Sequence, residues 1–135
     1  MEPEAALREA GLRPTPQRLA VMRALDGRDE AVTAQELHHE LRRRGVRAPG
    51  LTTIYRTLSA LADAGALDTF DRDGEQAFRL CGAEHHHHLL CTSCGTVQEV
   101  EAREVESWVA RVARRTGFAV TGHRADVYGV CRSCR

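Results

Sequence analysis

The chain has no lysine, no net charge and no long apolar segment. All 19 basic residues are arginine and are balanced by 19 acidic residues, so the overall charge gives no support for nucleic-acid or membrane binding. No apolar run approaches the roughly 20 residues that a bilayer-spanning helix needs, and the N-terminus does not have the pattern of a signal peptide. We therefore expect a soluble, cytoplasmic protein with no membrane partner.

Two catalytic zinc motifs are also missing. Neither His-Glu-x-x-His nor His-x-Glu with Pro-Cys-x-x-Cys occurs, and Glu84 beside His85 is the only local candidate for a general acid or base. A zinc hydrolase or deaminase is therefore disfavoured, and we expect no enzymatic activity. A length of 135 residues allows one domain or two small ones with a modest core.

What the chain does have is a concentration of metal ligands, since seven of the fourteen residues in 81–94 are cysteine or histidine. In a reducing compartment, five cysteines indicate metal ligands or reactive thiols rather than disulfides. Side chains alternate between the two faces of an extended strand. His85 and His87 would then point one way, and His86 and His88 the other way. The run therefore predicts two separate metal sites, the alternative being a solvated histidine-rich loop.

Two Cys-x-x-Cys pairs supply four further ligands. Cys91 and Cys94 form one pair, and Cys131 and Cys134 form the other. Four thiolates complete a tetrahedral zinc site that leaves no position open for substrate, which predicts a structural zinc. The alternatives are two disulfides or a redox-active pair, and the chain lacks a thioredoxin-like context for the latter.

The remaining ligands can serve the two faces of the histidine run. Cys81 with His86 and His88 makes three donors suited to Zn²⁺, and Asp68 is a candidate for the fourth. Partners for the other two histidines are expected from the C-terminal part of the chain, where the candidates are Glu106 and His123. Taken singly, each acidic candidate and His123 is also compatible with an ordinary surface or capping role.

The first eighty residues predict helices followed by a hairpin. Thr15-Pro16 opens a helix, and Thr33-x-x-Glu36 is a capping box for a second one. Thr52 is expected to cap a third helix, and Asp73-Gly74 is a hairpin-turn signal. A shorter helix is expected between residues 4 and 10. This order of elements describes a winged helix-turn-helix domain.

The residues after Cys81 predict a second, mixed domain. Strands are expected over His85–Leu90, Thr96–Glu101 and Ala119–Val130, with a helix over Arg103–Arg115. Helical spacing of apolar residues predicts that Trp108 lies in the core. The predicted organisation is therefore α+β, with residues 1–80 as the winged helix-turn-helix domain, 81–84 as a hinge and 85–135 as a small C-terminal α/β domain.

The third predicted helix is a candidate for reading DNA. Thr52 and Thr53 at its N-terminus can hold phosphates, while Tyr55 and Arg56 point away from its apolar stripe and can reach a phosphate or a base edge. Further backbone contacts are expected from Arg13, Arg18, Arg42–Arg44 and Arg47. The alternative is a helix with a solvated polar face.

Over nearly its full length, the chain resembles the ferric uptake regulator family of bacterial metal-responsive repressors. The resemblance rests on Thr-Pro-Gln-Arg at 15–18, Leu-Thr-Thr-Ile-Tyr-Arg-Thr-Leu at 51–58, the histidine run at 85–88 and the two Cys-x-x-Cys pairs. It implies a homodimer with an N-terminal winged-helix DNA-binding domain and a C-terminal α/β dimerisation domain. It also implies that metal closes the hinge so that two recognition helices match a palindromic double-stranded operator.

Within that family, the chain looks most like the zinc uptake regulator branch, which implies up to three zinc ions per monomer. The matching ligand sets are Cys91, Cys94, Cys131 and Cys134 for the structural site, Asp68, Cys81, His86 and His88 for a hinge sensing site, and His85, His87, Glu106 and His123 for an additional site. Tyr55 and Arg56 match the recognition-helix contacts.

One departure from the family bears on the identity of the metal. Iron and peroxide sensors supply a histidine just before the second capped helix, but residues 29–33 read Asp-Glu-Ala-Val-Thr. With the thiol of Cys81, this favours zinc and control of zinc-uptake genes. The alternatives are a family member that senses nickel, iron, manganese or peroxide. A zinc store would explain the ligands but not the helical half.

Overall fold

The computed structural model describes residues 2–45, 47–81 and 85–135. The chain divides into two compact units, Met1–Ala83 and Glu84–Arg135. Most of the predicted hinge, residues 81–84, lies outside the described residues, so the hinge stays a prediction. Within the described ranges, no helix is long and apolar enough to cross a membrane.

The first unit is a winged helix-turn-helix. Its helices are α1 (Pro3–Glu9), α2 (Pro16–Leu25), α3 (Ala34–Arg43) and α4 (Leu51–Asp63). Its strands are β1 (Val32–Thr33), β2 (Leu67–Arg72) and β3 (Glu75–Leu80), which form an antiparallel sheet in the order β1-β3-β2. The core lies between the helices and this sheet, and it includes the fully buried Leu7, Val21, Leu37, Ile54, Leu58, Leu61 and Phe78.

The helix starts follow from local chemistry. The Thr15 hydroxyl accepts a hydrogen bond from the Arg18 backbone N–H at 3.2 Å, which begins α2 as predicted. The capping box of α3 is also confirmed, with reciprocal Thr33–Glu36 bonds of 2.9 and 3.1 Å. The prediction that Thr52 caps α4 was wrong, because the extended Gly50 occupies the cap position and the helix begins one residue before Thr52.

The wing is the predicted hairpin of β2 and β3. Asp73 and Gly74 both have positive φ values, 52° and 86°, as a two-residue turn between twisted strands requires. The Asp71 carboxylate accepts a hydrogen bond from the Gly74 N–H at 2.9 Å. The turn therefore sets the register of the hairpin, in which Arg72 lies opposite Glu75.

The second unit is a small sheet with one helix. It contains β4 (His87–Cys91), β5 (Val97–Val100), α5 (Arg103–Thr116) and β6 (Asp126–Gly129). The sheet order is β5-β4-β6, with β5 antiparallel and β6 parallel to β4. The last strand is shorter than the predicted 119–130, because only its final part pairs with β4, from His88 opposite Asp126 to Cys91 opposite Gly129.

The prediction that Trp108 lies in the core was wrong. Its side chain is 58% exposed, and α5 carries no buried residue. The helical stripe is present, but the described residues of the chain do not cover it. Further large apolar side chains of this unit are exposed, namely Leu89, Phe118, Val120, Val127, Tyr128 and Val130. The second unit therefore presents an extensive uncovered apolar surface.

A partly buried ion pair supports the first unit and gives a testable stability prediction. The Arg28 guanidinium contacts the Glu40 carboxylate at 2.5 Å, with side chains only 20% and 18% exposed, and also contacts Glu30. The hydrogen bond from Arg28 lowers the pKa of Glu40. Glu40→Gln leaves Arg28 without its main counter-charge, so we expect a loss of roughly 1–3 kcal/mol in the free energy of unfolding at neutral pH.

Urea unfolding at several pH values checks this prediction. Because the pKa of Glu40 is lower in the folded than in the unfolded chain, the pair's contribution is present above the ordinary pKa of glutamate and is lost as the pH falls through the folded pKa. The difference from wild type should shrink accordingly. Glu4→Gln, which breaks an exposed ion pair with Arg8, is the matched control and should change stability little. Equal effects of both substitutions would contradict the prediction.

Candidate metal centres and nucleic-acid interface

Four cysteines meet at one end of the second unit. The Sγ atoms of Cys91, Cys94, Cys131 and Cys134 all lie within 4.8 Å of one another, and all are free thiols. The Cys94 and Cys131 sulfurs are 3.8 Å apart. Tetrahedral zinc with bonds of about 2.3 Å requires sulfur separations of roughly this size. The structure thus brings together the four cysteines that the sequence predicted for one site.

The sheet explains why the two pairs converge. Cys91 ends β4 and lies opposite Gly129 of the parallel strand β6, so the chain after β6 reaches the same edge of the sheet. The backbone N–H groups of Cys94 and Cys131 both donate to Cys91 Sγ, at 3.4 and 3.3 Å. Gly95, with φ of 80°, completes the first turn. N–H groups directed at sulfur stabilise a thiolate.

The electrostatics of the four sulfurs fit a bound divalent cation. Hydrogen bonds, first from the Cys131 backbone, lower the pKa of Cys91 to about 6, and the Thr96 hydroxyl lowers the pKa of Cys94. The neighbouring sulfurs, Cys131 first, raise the pKa of Cys134 to about 12. Four thiolates therefore do not coexist here without a positive charge between them. Zn²⁺ supplies that charge and prefers this donor set.

A second cluster surrounds the Glu106 carboxylate. Its Oε1 lies 2.7 Å from His87 Nε2, 3.0 Å from His85 Nε2 and 3.0 Å from His123 Nε2. These contacts, led by the hydrogen bond from His123, lower the pKa of Glu106 to about 2. Three imidazole nitrogens and an ionised carboxylate within 4.8 Å of one another make a donor set suited to Zn²⁺.

The predicted alternation of the histidine run is confirmed. The rings of His85 and His87 lie together, with centroids 4.9 Å apart, and the rings of His86 and His88 lie together at 4.6 Å. The first pair faces Glu106 on α5. β4 begins at His87, so the two-residue period of the strand places His87 and His88 on opposite faces, and His85 and His86 lie just before the strand.

The second pair of histidines, His86 and His88, contacts two acidic residues that were not predicted from the sequence. His88 Nδ1 lies 2.9 Å from Asp126 Oδ1, and His86 Nε2 lies 3.2 Å from Glu99 Oε1. Asp126 is directly opposite His88 across β4 and β6. The sequence signal for both is an acidic residue in a neighbouring strand, which is informative only once the strand register is known.

Asp68 and Cys81, the other two predicted sensing ligands, lie together in the first unit. A carboxylate oxygen of Asp68 is within 4.8 Å of Cys81 Sγ. Asp68 lies in β2, opposite Arg79 of β3, and Cys81 directly follows β3. Burial first, and then the Asp68 carboxylate, raise the pKa of Cys81 to about 12, although the Arg79 guanidinium donates a hydrogen bond to the sulfur at 3.2 Å.

The predicted DNA-reading residues lie on α4. Thr52, Tyr55 and Arg56 are exposed, with Tyr55 at 50%, and Thr53 is half-buried. Within the described ranges, Arg56 forms no ion pair, so its guanidinium can contact another molecule. A groove of about 600 Å³ lies between Thr52, Tyr55 and Arg56, the start of α3 and the turn of the wing.

The two N-terminal arginines predicted to contact DNA lie around the start of α2. Arg13 is exposed, and the half-buried Arg18 donates a hydrogen bond to the Arg13 carbonyl oxygen at 2.8 Å. This bond orders the segment before α2. A winged helix with an exposed threonine, tyrosine and arginine on α4 is chemically suited to phosphate and base contacts.

Comparison with known proteins agrees with these features. The model of the ferric uptake regulator family matches residues 9–128. The zinc uptake regulation protein of Mycobacterium tuberculosis is 49% identical over 127 residues, covering 93% of this chain and 97% of that protein. The ferric uptake regulation protein of Legionella pneumophila is 33% identical over 137 aligned positions, covering 100% of both.

Solved structures agree with the fold. The ferric uptake regulator of Vibrio cholerae superposes with a TM-score of 0.78 at 32% identity, covering 96% of this chain and all of that one. A zinc-bound manganese uptake regulator superposes with a TM-score of 0.69 at 33% identity, covering 95% and 97%. The chain belongs to the ferric uptake regulator family of metal-responsive transcription regulators, with higher identity to a zinc uptake regulation protein than to the ferric uptake regulation protein of Legionella pneumophila.

Proposed function

We propose that this protein is a zinc-responsive transcriptional repressor that binds a palindromic operator as a homodimer when loaded with zinc, and that it controls zinc-uptake genes in the cytoplasm. One observation carries the proposal: a single short chain joins a winged helix, with Tyr55 and Arg56 exposed on α4, to dense clusters of cysteine and histidine ligands. The 49% identity to a zinc uptake regulation protein supports zinc as the effector.

The donor clusters support up to three zinc ions per monomer. The four-cysteine cluster has no room for an exchangeable ligand, so it holds the structural ion. The cluster of His85, His87, Glu106 and His123 belongs wholly to the second unit and serves as the additional site. Asp68 and Cys81 from the first unit, with His86 and His88 from the second, form the sensing site.

The sensing site gives zinc control over the arrangement of the units. Its two half-sites belong to different units, and the donors within each half already lie side by side. When bound, zinc supplies a cation that both halves can coordinate only when the units are drawn together. This differential affinity shifts the population toward the closed form, in which both recognition helices of the dimer match the operator spacing.

DNA binding then depends on local rather than overall charge. With a net charge of zero, the chain relies on Arg13, Arg18 and the start of α4 for phosphate contacts, which lose strength as salt rises. Arg56 is placed to form a bidentate contact with guanine, and Tyr55 to contact a thymine methyl. Repression follows when the occupied operator overlaps a promoter.

The thiol at Cys81 favours zinc over harder metals. Sulfur and imidazole together suit Zn²⁺ better than Fe²⁺ or Mn²⁺. Residues 29–33 contain no histidine or cysteine, and the carbonyl oxygens of Asp29 and Ala31 accept hydrogen bonds from Arg79 and Arg72 within the first unit. These hydrogen bonds attach the segment to the wing strands β2 and β3. Competition of Ni²⁺, Fe²⁺ and Mn²⁺ against Zn²⁺ measures this preference.

Cys81→Ser tests the sensing site. We expect zinc-dependent affinity for the operator to fall by more than about 10-fold, because the site loses its soft donor, while the chelator-resistant zinc stays bound. Gel shifts on a palindromic duplex selected from a random library with zinc-loaded wild type, together with metal analysis, measure both quantities. His39→Asn, on an exposed histidine outside all three sites, should behave as wild type. Zinc dependence that survives in Cys81→Ser would contradict the role of this site.

A further inference from the structure

Asp126 and His88 form a tightly constrained pair. His88 is 3% exposed, and the Asp126 side chain is 13% exposed. The two residues are register partners of β4 and β6, and the His88 N–H donates to the Ala125 carbonyl oxygen at 3.3 Å. The backbone thus holds both residues while Nδ1 and Oδ1 approach to 2.9 Å. The strand register therefore fixes the two Cα positions from which the side chains meet.

The contact determines which ring nitrogen of His88 can bind a metal. A carboxylate oxygen only accepts hydrogen bonds, so Nδ1 carries the hydrogen and donates it to Asp126. The lone pair of the neutral ring then resides on Nε2. A carboxylate partner of this kind also fixes the plane of the ring and makes the histidine a better donor to a metal.

Arg124 completes the arrangement. Its Nε contacts the second carboxylate oxygen of Asp126, Oδ2, at 2.7 Å. With one oxygen directed at His88 and the other at Arg124, the carboxylate is held in a single orientation. Both of its oxygens are therefore engaged, so Asp126 acts on the site through His88 rather than as an additional ligand.

We propose that Asp126, held by Arg124, is a positioning residue of the zinc-sensing site that fixes the tautomer and orientation of His88 so that Nε2 faces the metal. This inference rests on the proposed function, because it requires His88 to be a sensing ligand. It assigns to β6 a part in metal sensing.

The other face of β4 lacks this device and therefore serves as an internal reference. His87 Nδ1 is buried and, among the described residues, has no hydrogen-bond partner, while its Nε2 faces Glu106. The contact between Nε2 and Glu106 therefore orients the ring of His87. Loss of Asp126 should weaken the sensing site selectively and leave the additional site unchanged.

The test is a Co²⁺ titration of full-length protein that retains its chelator-resistant zinc. Co²⁺ bound beside the Cys81 thiolate gives a sulfur-to-metal charge-transfer band, which reports the sensing site alone. We expect Asp126→Ala to lower the Co²⁺ affinity read from this band by about 10–100-fold. Asp126→Glu should restore part of the affinity. Glu104→Gln, an exposed acidic residue of the same unit, should have no effect.

A second readout separates positioning from support of the fold. Nitrogen-15 NMR of metal-depleted sensing sites should show His88 protonated at Nδ1 in wild type and at Nε2, or as a mixture of tautomers, in Asp126→Ala. Arg124→Ala, at a side chain 41% exposed, should lower Co²⁺ affinity by a smaller factor and provides the test if Asp126→Ala does not fold. The affinity of the additional site for Zn²⁺, measured by metal competition, should not change.

Several outcomes overturn the inference. An unchanged Co²⁺ band in both Asp126→Ala and Arg124→Ala, or an equal loss of affinity at both histidine sites, would show that Asp126 has no selective role. A wild-type protein with no thiolate-to-Co²⁺ band would instead refute the proposed sensing site itself. The two failures are therefore distinguishable.

Discussion

Cys131→Ser is expected to eliminate the chelator-resistant zinc and to unfold the second unit. Cys131 provides a sulfur 3.8 Å from that of Cys94 and a backbone N–H directed at Cys91 Sγ. Structural zinc contributes on the order of 10 kcal/mol to folding, which equals the whole stability of a typical domain. The core of this unit is too small to compensate. Among its described residues, the buried side chains are those of His87, His88, Leu90, Cys91 and Val97.

Metal analysis after dialysis against a chelator, combined with thermal unfolding followed by circular dichroism, measures this effect. Ser133→Ala, on an exposed residue in the same turn, should retain both the zinc and the wild-type melting temperature. Removal of zinc from wild type with a strong chelator should reproduce the behaviour of Cys131→Ser. A variant that loses the metal but melts as wild type does would show that the four-cysteine site is not structural.

Much of the fold was predictable because it depends on chemistry within a few residues. Thr15 before Pro16, and Thr33 three residues before Glu36, cap their helices through bonds that the spacing alone makes possible. Asp73-Gly74 supplies the two positive φ values that the hairpin needs. The opposite orientation of His87 and His88 was predictable for a similar reason, since the two-residue period belongs to the strand that begins at His87.

Apart from one helix cap, what failed depends on partners far along the chain or outside it. Asp126 and Glu99 were missed because their meeting with His88 and His86 requires the register of β4 with β6 and β5. Thr52 was assigned a cap that Gly50 occupies, because an extended glycine can begin a helix without a side-chain bond. For the two acidic residues, the sequence alone does not determine which strands pair, and the fold selects the register.

The prediction that Trp108 is buried was wrong for a different reason. Periodicity identifies which face of α5 is apolar, but it does not say whether the same chain or another covers that face. The residue is 58% exposed on a helix with no buried residue, and α5 is followed by further exposed apolar side chains. In the proposed homodimer, a second copy of the chain covers this apolar face. An exposed apolar face of this kind suits a two-fold interface between identical chains.

Trp108→Asp is therefore expected to convert the dimer to monomers. Truncating a buried interface tryptophan typically costs about 2–4 kcal/mol, and a two-fold interface contains the residue twice, so dimer affinity should fall by roughly 10³–10⁶-fold. The operator affinity of the zinc-loaded protein should fall as the dimer dissociates, because two separate monomers bind their half-sites independently. Sedimentation equilibrium and gel shifts on the same palindromic duplex measure the two effects.

The polar side of the same helix provides the matched control for this substitution. Ser107→Asp introduces the same carboxylate one residue earlier in α5, at an exposed position outside the apolar stripe, and should leave the dimer intact. Both variants should retain the chelator-resistant zinc, since neither residue lies in the four-cysteine cluster. Equal dissociation by both substitutions would indicate general destabilisation of α5. A dimeric Trp108→Asp protein would place the interface elsewhere and leave the exposed stripe to a different partner.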